Sequence, residues 1–229
     1  MQKNATISHI GIIMDGNRRW AKKNELPLED GHEKGARTIE SIVEAAIENG
    51  ITFLTFYAFS TENWKRNPLE VQKLMMVFRK AIHDPQVVRL HTMGVKVNII
   101  GDINAFPKDI QERVSEIHDM TQNNNRLTAN FALNYGGRDE IIRAVTRLIQ
   151  GNPKKITEQM VSDLMDTSGQ PDPDLIIRTG GEQRLSNFLT WQAAYSELYF
   201  TDVLWPDFTP AELGKAILWY QERERRFGK

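Results

Sequence analysis

The chain has 229 residues, 40% of them apolar and 26% charged, with 29 basic residues against 30 acidic ones and a formal net charge of −1. That balance suits one globular α/β-sized domain with a real core and excludes a global positive field that would hold nucleic acid by counterion release. There is no cysteine, which removes disulfides, thiol catalysis and thiolate metal sites together. The segment 1–8 has no long apolar region, and no stretch approaches the roughly 18 apolar residues of a spanning helix, so the expectation is a soluble, cytoplasmic protein without a nucleic-acid partner.

In chain order, residues 10–14 (IGIIM) form a short apolar run that reads as a strand. Residues 35–49 carry Ile39, Ile42, Val43, Ala46 and Ile47 at helical spacing and are closed by Gly50, a helix stop. Residues 51–59, ITFLTFYAF, are β-branched and aromatic with little alternation, the pattern of a strand buried on both faces. Strands are then predicted over 95–100 and 127–133, with a helix opened by Pro107 between them and a polar turn at 123–126. An amphipathic helix over 138–149, a short strand over 175–177 and a helix over 210–226 complete the chain. The fold class this implies is α/β: a single domain over 1–229 with a mostly parallel central sheet surrounded by helices.

Polar clusters follow each predicted strand: 15–19 (DGNRR), 60–64 (STENW), 101–102 (GD), 134–138 (NYGGR) and 178–181 (RTGG). In a parallel sheet these carboxyl ends share one edge, where ligands of open α/β folds bind. Arg18, Arg19, Arg66, Arg178 and Arg184, with the Ser60 and Ser186 hydroxyls, are the inventory of a phosphate or diphosphate clamp, because a guanidinium pairs two oxygens at once. Arg143, Arg147, Arg223 and Arg225 fall on predicted helices and read as surface charges. Asp15 suits a Mg²⁺ ion that takes one or two carboxylates and completes its shell with phosphate and water. Walker, GxSxG, HExxH and GxGxxG patterns are absent, and His32-Glu33 lacks a second histidine. The residues thus point to a magnesium-assisted reaction of a diphosphate beside Trp20 and Trp64, and leave the attached organic group unnamed.

The motifs HIGIIMDGNRRWA (9–21), GH (31–32), FYAFSTENWKR (56–66), NFALNYGGRDEI (130–141) and PDPDLIIRTGGEQRLSNFLTWQAAYSELYFTDVLWPDF (171–208) resemble the cis-prenyltransferases, in order and over nearly the whole chain. The resemblance implies a homodimer that condenses isopentenyl diphosphate repeatedly onto an allylic diphosphate, usually farnesyl diphosphate, to give a long-chain product such as undecaprenyl diphosphate. A shorter-chain synthase and a non-catalytic binding subunit are the alternatives. It implies that Asp15 holds Mg²⁺ and assists departure of the allylic diphosphate, which Gly16, Asn17, Arg18 and Arg19 receive, with Trp20 beside the allylic chain. His32, Ser60, Thr61, Glu62, Trp64 and Arg66 match further substrate contacts, and Asn63 matches the position of proton removal, where an amide would orient the transfer rather than accept it. Arg178, Arg184, Leu185 and Ser186 match the clamp on isopentenyl diphosphate, and Glu197 a second magnesium-linked carboxylate.

The sequence departs from the family pattern at Leu28, where an arginine is usual, at Asn67-Pro68, where the proline is displaced by one, and at Gln183, a histidine in some members. Leu127 falls where members place a residue that limits chain length, and a core leucine is the alternative reading. Phe131, Met75 and Phe78 are core or tunnel residues, and the last helix is a core cover, a dimer element or a peripheral membrane contact for product release.

Overall fold

A computed structural model describes residues 6–223. Six strands form one sheet in the order β3-β4-β2-β1-β5-β6, all paired in parallel. In chain order the elements are β1 (His9–Ile13), α1 (Asn17–Lys23), α2 (Leu28–Glu48), β2 (Phe53–Ser60), α3 (Pro68–His83), α4 (Gln86–Thr92), β3 (Val95–Ile100), α5 (Lys108–Thr121), β4 (Leu127–Tyr135), α6 (Gly137–Gln150), α7 (Glu158–Ser162), β5 (Leu175–Arg178), β6 (Glu197–Phe200) and α8 (Pro210–Gln221), with four short 3-10 turns between them. The predicted α/β class, the five strands and the helices after Pro107 and residue 138 are all present.

Three features go beyond the sequence reading. Helix α2 begins at Leu28, about two turns before the expected start, because those first two turns are mostly polar and face a cavity instead of the core. Helices α1, α3 and α4 and strand β6 appear where none was expected. The last helix stops at Gln221; its expected continuation to residue 226, Arg225 and the end of the family-like segment lie outside the described residues.

One face of the sheet carries Ile10, Ile12, Leu54, Phe56 and Ile177 against Ile42 and Val43 of α2, Leu213 and Ile217 of α8, and the buried Trp205. On the other face Ile13, Ile176 and Tyr135 pack on Phe188 and Leu189. Fully burying each such side chain contributes about 1.5–3 kcal/mol. Across that second face runs a polar line: Nε2 of the buried His9 meets Thr55 Oγ1 at 2.8 Å and its Nδ1 meets Pro171 O at 2.7 Å, while Asn130 Nδ2 donates to Thr55 Oγ1 at 3.0 Å. Burial lowers the His9 pKa, so the first residue of the opening motif is a neutral structural hydrogen-bonder. Gly31 and Gly35 sit inside α2 because α1 crosses there; an added Cβ would lie 2.2 Å from Asn17 O and 2.3 Å from Asn17 Oδ1 respectively.

The neighbouring strands β1 and β5 place Ile13 beside Arg178. The chain leaves β1 toward β2 and leaves β5 toward β6, on opposite sides in the strand order. This divergence opens a crevice at the carboxyl edge, the place where open α/β sheets bind ligands.

Candidate active site

Arg178, the last residue of β5, is 4% exposed. Its Nη2 reaches Asp15 Oδ2 at 2.9 Å, and its Nη1 donates to Ser186 Oγ at 2.7 Å and to Arg184 O at 2.5 Å. Its Nε is buried and has no partner among the described residues. A buried charged donor without a partner is costly, and an anion at the crevice satisfies it. Asp15 Oδ1 in turn pairs with Arg19 Nη2 at 3.1 Å, and Arg19 Nη1 donates to Gly180 O at 2.5 Å. Gly180 lies at φ 83°, and a Cβ there would come within 2.5 Å of Arg19 Nη2; the glycine lets the guanidinium lie flat on the β5 loop. Thr179 Oγ1 donates to Asp15 O at 2.7 Å. The carboxylate therefore stands between two guanidiniums, one from helix α1 and one from the end of strand β5.

The loop after β2 adds the next layer. Asn63 Oδ1 accepts the Ser60 N–H at 3.0 Å, which fixes the amide and leaves its oxygen occupied. Glu70, on α3, gathers Arg66 Nη1 at 2.9 Å and Arg18 Nη1 at 3.3 Å. His32 faces the same pocket; burial, with Arg66 next and Arg18 behind it, pushes its pKa down to about 4 against the opposing pull of Glu70. A neutral imidazole is thus held beside two permanent cations.

These groups ring the mouth of a cavity of about 950 Å³, at the upper end of the roughly 300–1,000 Å³ range of small-molecule sites. Asp15, Gly16, Asn17, Arg18, Arg19, His32, Ser60, Asn63, Arg66, Arg178, Arg184 and Ser186 all line it. Behind the mouth the lining turns apolar: Ile39 of α2, Leu74, Phe78 and Ile82 of α3, Leu90 of α4, Ile117 of α5, and Val97 and Phe131 of the sheet. Leu133 and Phe59 lie near the carboxyl ends of their strands and Val97 near the start of β3, so the cavity runs from the mouth back along the sheet.

Several expected site residues are elsewhere. The Trp20 indole N–H donates to Asp207 Oδ1 at 2.8 Å, outside the cavity. Trp64 packs edge-on against Phe59 and Phe106, with its N–H on Asn134 Oδ1 at 2.8 Å. Glu62 accepts from Asn187 Nδ2 at 3.2 Å, Thr61 lies against Gly136, and Leu185 packs on the second core face. Glu197 opens β6 beside Leu175 at the amino end of the sheet and pairs with Arg223 Nε at 3.2 Å; within one chain it does not meet Asp15. The loops after β3 and β4 also miss the cavity: Gly101 N–H donates to Asp166 Oδ2 at 2.9 Å and Asn134 Nδ2 to Asp102 O at 3.0 Å. Leu127, 1% exposed, and Met75 are core residues that do not line the cavity, whereas Phe78 and Phe131 do. Leu28 stands at the mouth. Sequence reasoning missed Glu70, Lys22 and Tyr57, which stand in or beside the mouth; Glu70 was legible as a carboxylate four residues after Arg66.

Asp15 is the one carboxylate among the described residues that line the cavity, and no cluster of three His, Asp or Glu side chains that could hold a metal occurs among the described residues. That donor set makes no complete cage, but it fits Mg²⁺ shared between one carboxylate, a bound diphosphate and water.

The undecaprenyl diphosphate synthase family model matches residues 13–228. An isoprenyl transferase of Chromobacterium violaceum is 49% identical over 221 residues, covering 96% of this chain and 88% of that protein. One of Fusobacterium nucleatum is 49% identical over 230 residues, covering 100% of this chain and 98% of that protein. Among solved structures, lavandulyl diphosphate synthase of Lavandula x intermedia in complex with dimethylallyl diphosphate superposes with a TM-score of 0.93 at 35% identity, covering 98% and 99% of the two chains. A probable undecaprenyl diphosphate synthase of Campylobacter jejuni gives 0.83 at 31% identity, covering 100% of each.

Proposed function

Because the chain belongs to the undecaprenyl diphosphate synthase family of prenyltransferases, we infer that it elongates an allylic diphosphate by successive cis condensations of isopentenyl diphosphate. The observation that carries the assignment of the site is Arg178, which lines the mouth of a long apolar cavity with its guanidinium held by Asp15 and Ser186 and its buried Nε unpartnered among the described residues. Arg178, Arg184 and Ser186 bind the diphosphate of the isopentenyl unit. Arg18 and Arg19 bind that of the allylic substrate, whose prenyl chain lies in the cavity. As the new carbon–carbon bond forms, the allylic carbon–oxygen bond breaks, its electron pair goes to the leaving diphosphate, and a proton passes from the isopentenyl unit to an oxygen of that released diphosphate. Positive charge fixed beforehand around that diphosphate stabilises the transition state.

Asp15 would hold Mg²⁺, which when bound neutralises charge on the departing diphosphate. Asp15 also orients Arg19 and Arg178, so it sets the distance between the two diphosphate sites. Asn63, with its oxygen committed to the Ser60 N–H, orients the proton donor and does not accept the proton. The homodimer, a cytoplasmic setting and a peripheral membrane contact for product release belong to the same proposal. Among the described residues no helix is long and apolar enough to cross a membrane. Incubation of the purified protein with Mg²⁺, farnesyl diphosphate and labelled isopentenyl diphosphate, followed by product sizing, tests the reading. Long polyprenyl diphosphates are expected; products one or two units longer than the primer would make this a short-chain synthase, and no product would remove the catalytic reading.

A further inference from the structure

The segment that carries the isopentenyl clamp has an unusual backbone. Ser186, Asn187 and Leu189 lie at φ 50°, 65° and 43°, left-handed conformations that are unfavourable for a non-glycine residue and persist only where the surroundings over-determine them. The bonds that determine them converge on Asn187. Its carbonyl accepts the Gly137 N–H at 2.7 Å, its Oδ1 accepts the Arg138 N–H at 2.9 Å, and its Nδ2 donates to Glu62 Oε1 at 3.2 Å. One residue thereby ties the clamp loop to the loop after β4 and to the loop after β2. The approach is so close that a Cβ on Gly136 would sit 2.7 Å from Asn187 Nδ2, and one on Gly137 would sit 2.3 Å from Thr190 Oγ1. Tyr57 completes the seat: its hydroxyl lies 3.2 Å from Ser186 O and 3.3 Å from Tyr135 O, and its ring stacks on Phe188 at 4.7 Å.

Neither Asn187 nor Glu62 lines the cavity, while their neighbours Ser186 and Asn63 do. We propose that Asn187 is a positioning residue for isopentenyl diphosphate, and that Glu62 is its strut and not a substrate contact: the Asn187–Glu62 bridge holds Ser186 and Arg184 in the geometry that receives the diphosphate. The Asn-Tyr-Gly-Gly-Arg segment after β4 is the anvil against which that loop is pressed. Burial alone would raise the Glu62 pKa, but hydrogen bonds from its own backbone N–H, from Asn187 and from neighbouring hydroxyls hold the carboxylate below the usual range, as suits an acceptor in permanent use. The inference rests on the assignment of Arg178, Arg184 and Ser186 to isopentenyl diphosphate.

The test is steady-state kinetics on the full chain, with KM measured separately for isopentenyl and farnesyl diphosphate. Asn187→Asp removes the donor and sets two carboxylates face to face; it is expected to raise KM for isopentenyl diphosphate roughly ten-fold or more and to leave KM for farnesyl diphosphate unchanged. Glu62→Gln keeps the acceptor and is expected to stay near wild type, whereas Glu62→Ala, a change at an exposed position, raises KM as Asn187→Asp does. Combining Asn187→Asp with Glu62→Gln restores an N–H···O bond of reversed polarity and is expected to recover most of the loss. A double variant no better than Asn187→Asp, a Glu62→Gln enzyme as impaired as Glu62→Ala, or an unchanged KM in Asn187→Asp overturns the proposal. Arg184→Ala is the control: if it leaves KM for isopentenyl diphosphate unchanged, the clamp assignment itself fails, whereas a raised KM there with none in Asn187→Asp refutes the bridge alone.

Discussion

The mouth of the cavity and its apolar interior are built in opposite ways. At the mouth, single side chains answer to several partners at once: Asp15 to Arg19 and Arg178, Glu70 to Arg18 and Arg66, Arg178 to Asp15, Ser186 and the Arg184 carbonyl. Behind it, Ile39, Val77, Ala81, Leu90 and Ile117 come from four different helices and touch the cavity only with hydrocarbon. A wall of that kind is non-directional and sets shape and volume alone. On the proposed function, chemistry belongs to the first region and product length to the second, so substitutions in the two regions should fail differently.

The largest effect is expected at the centre of the mouth. Asp15→Ala should lower turnover by about 10³-fold or more, with circular dichroism close to wild type and a lowered thermal midpoint, because the buried Arg178 guanidinium loses its carboxylate partner. Arg178→Lys keeps the charge and loses the planar fork; steady-state assays should show KM for isopentenyl diphosphate raised by about 10- to 100-fold. In the interior, Ala81→Phe fills cavity space without touching the mouth. Sizing of labelled products should show shorter chains, with the rate of the first condensation within about two-fold of wild type; a fall in that first rate with unchanged length would erase the contrast between the regions.

The smallest effect concerns stability. His32 has a folded pKa of about 4 against the ordinary histidine value of 6.5. Above pH 6.5 both folded and unfolded chains carry it neutral; between 6.5 and 4 the unfolded chain binds a proton that the folded chain refuses, so stability falls as the pH falls through that window. The loss amounts to at most about 3 kcal/mol, and His9, shifted in the same direction by burial, adds to it. Denaturant unfolding at pH 7 and pH 5 should show a shallower decline in His32→Gln than in wild type.

The same contrast explains what the sequence made legible. The mouth residues that follow β1, β2 and β5 are contiguous with their strands, so an apolar run ending in Asp15-Gly16-Asn17-Arg18-Arg19 announced both the strand and its cargo. An indole in a motif says nothing about direction: Trp20 points to Asp207 and Trp64 into an aromatic cluster. Glu197 was matched to a metal-linked carboxylate through the family resemblance alone; within one chain the β5–β6 register puts it at the amino end of the sheet, away from Asp15. Helix α3 was readable in principle, since Leu74, Val77, Phe78, Ala81 and Ile82 recur at helical spacing after the Asn67 cap and Pro68. Leu127 could not be resolved from sequence, because a core leucine and a cavity leucine on one strand differ only in which face they meet.

The central claim is that a diphosphate completes the Arg178 site. A crystal structure of the protein with isopentenyl diphosphate bound tests it most directly. The account predicts a phosphate oxygen within about 3 Å of Arg178 Nε, with Arg184 and Ser186 on the same group; a diphosphate held on another surface, with that Nε still lacking a partner, would contradict it.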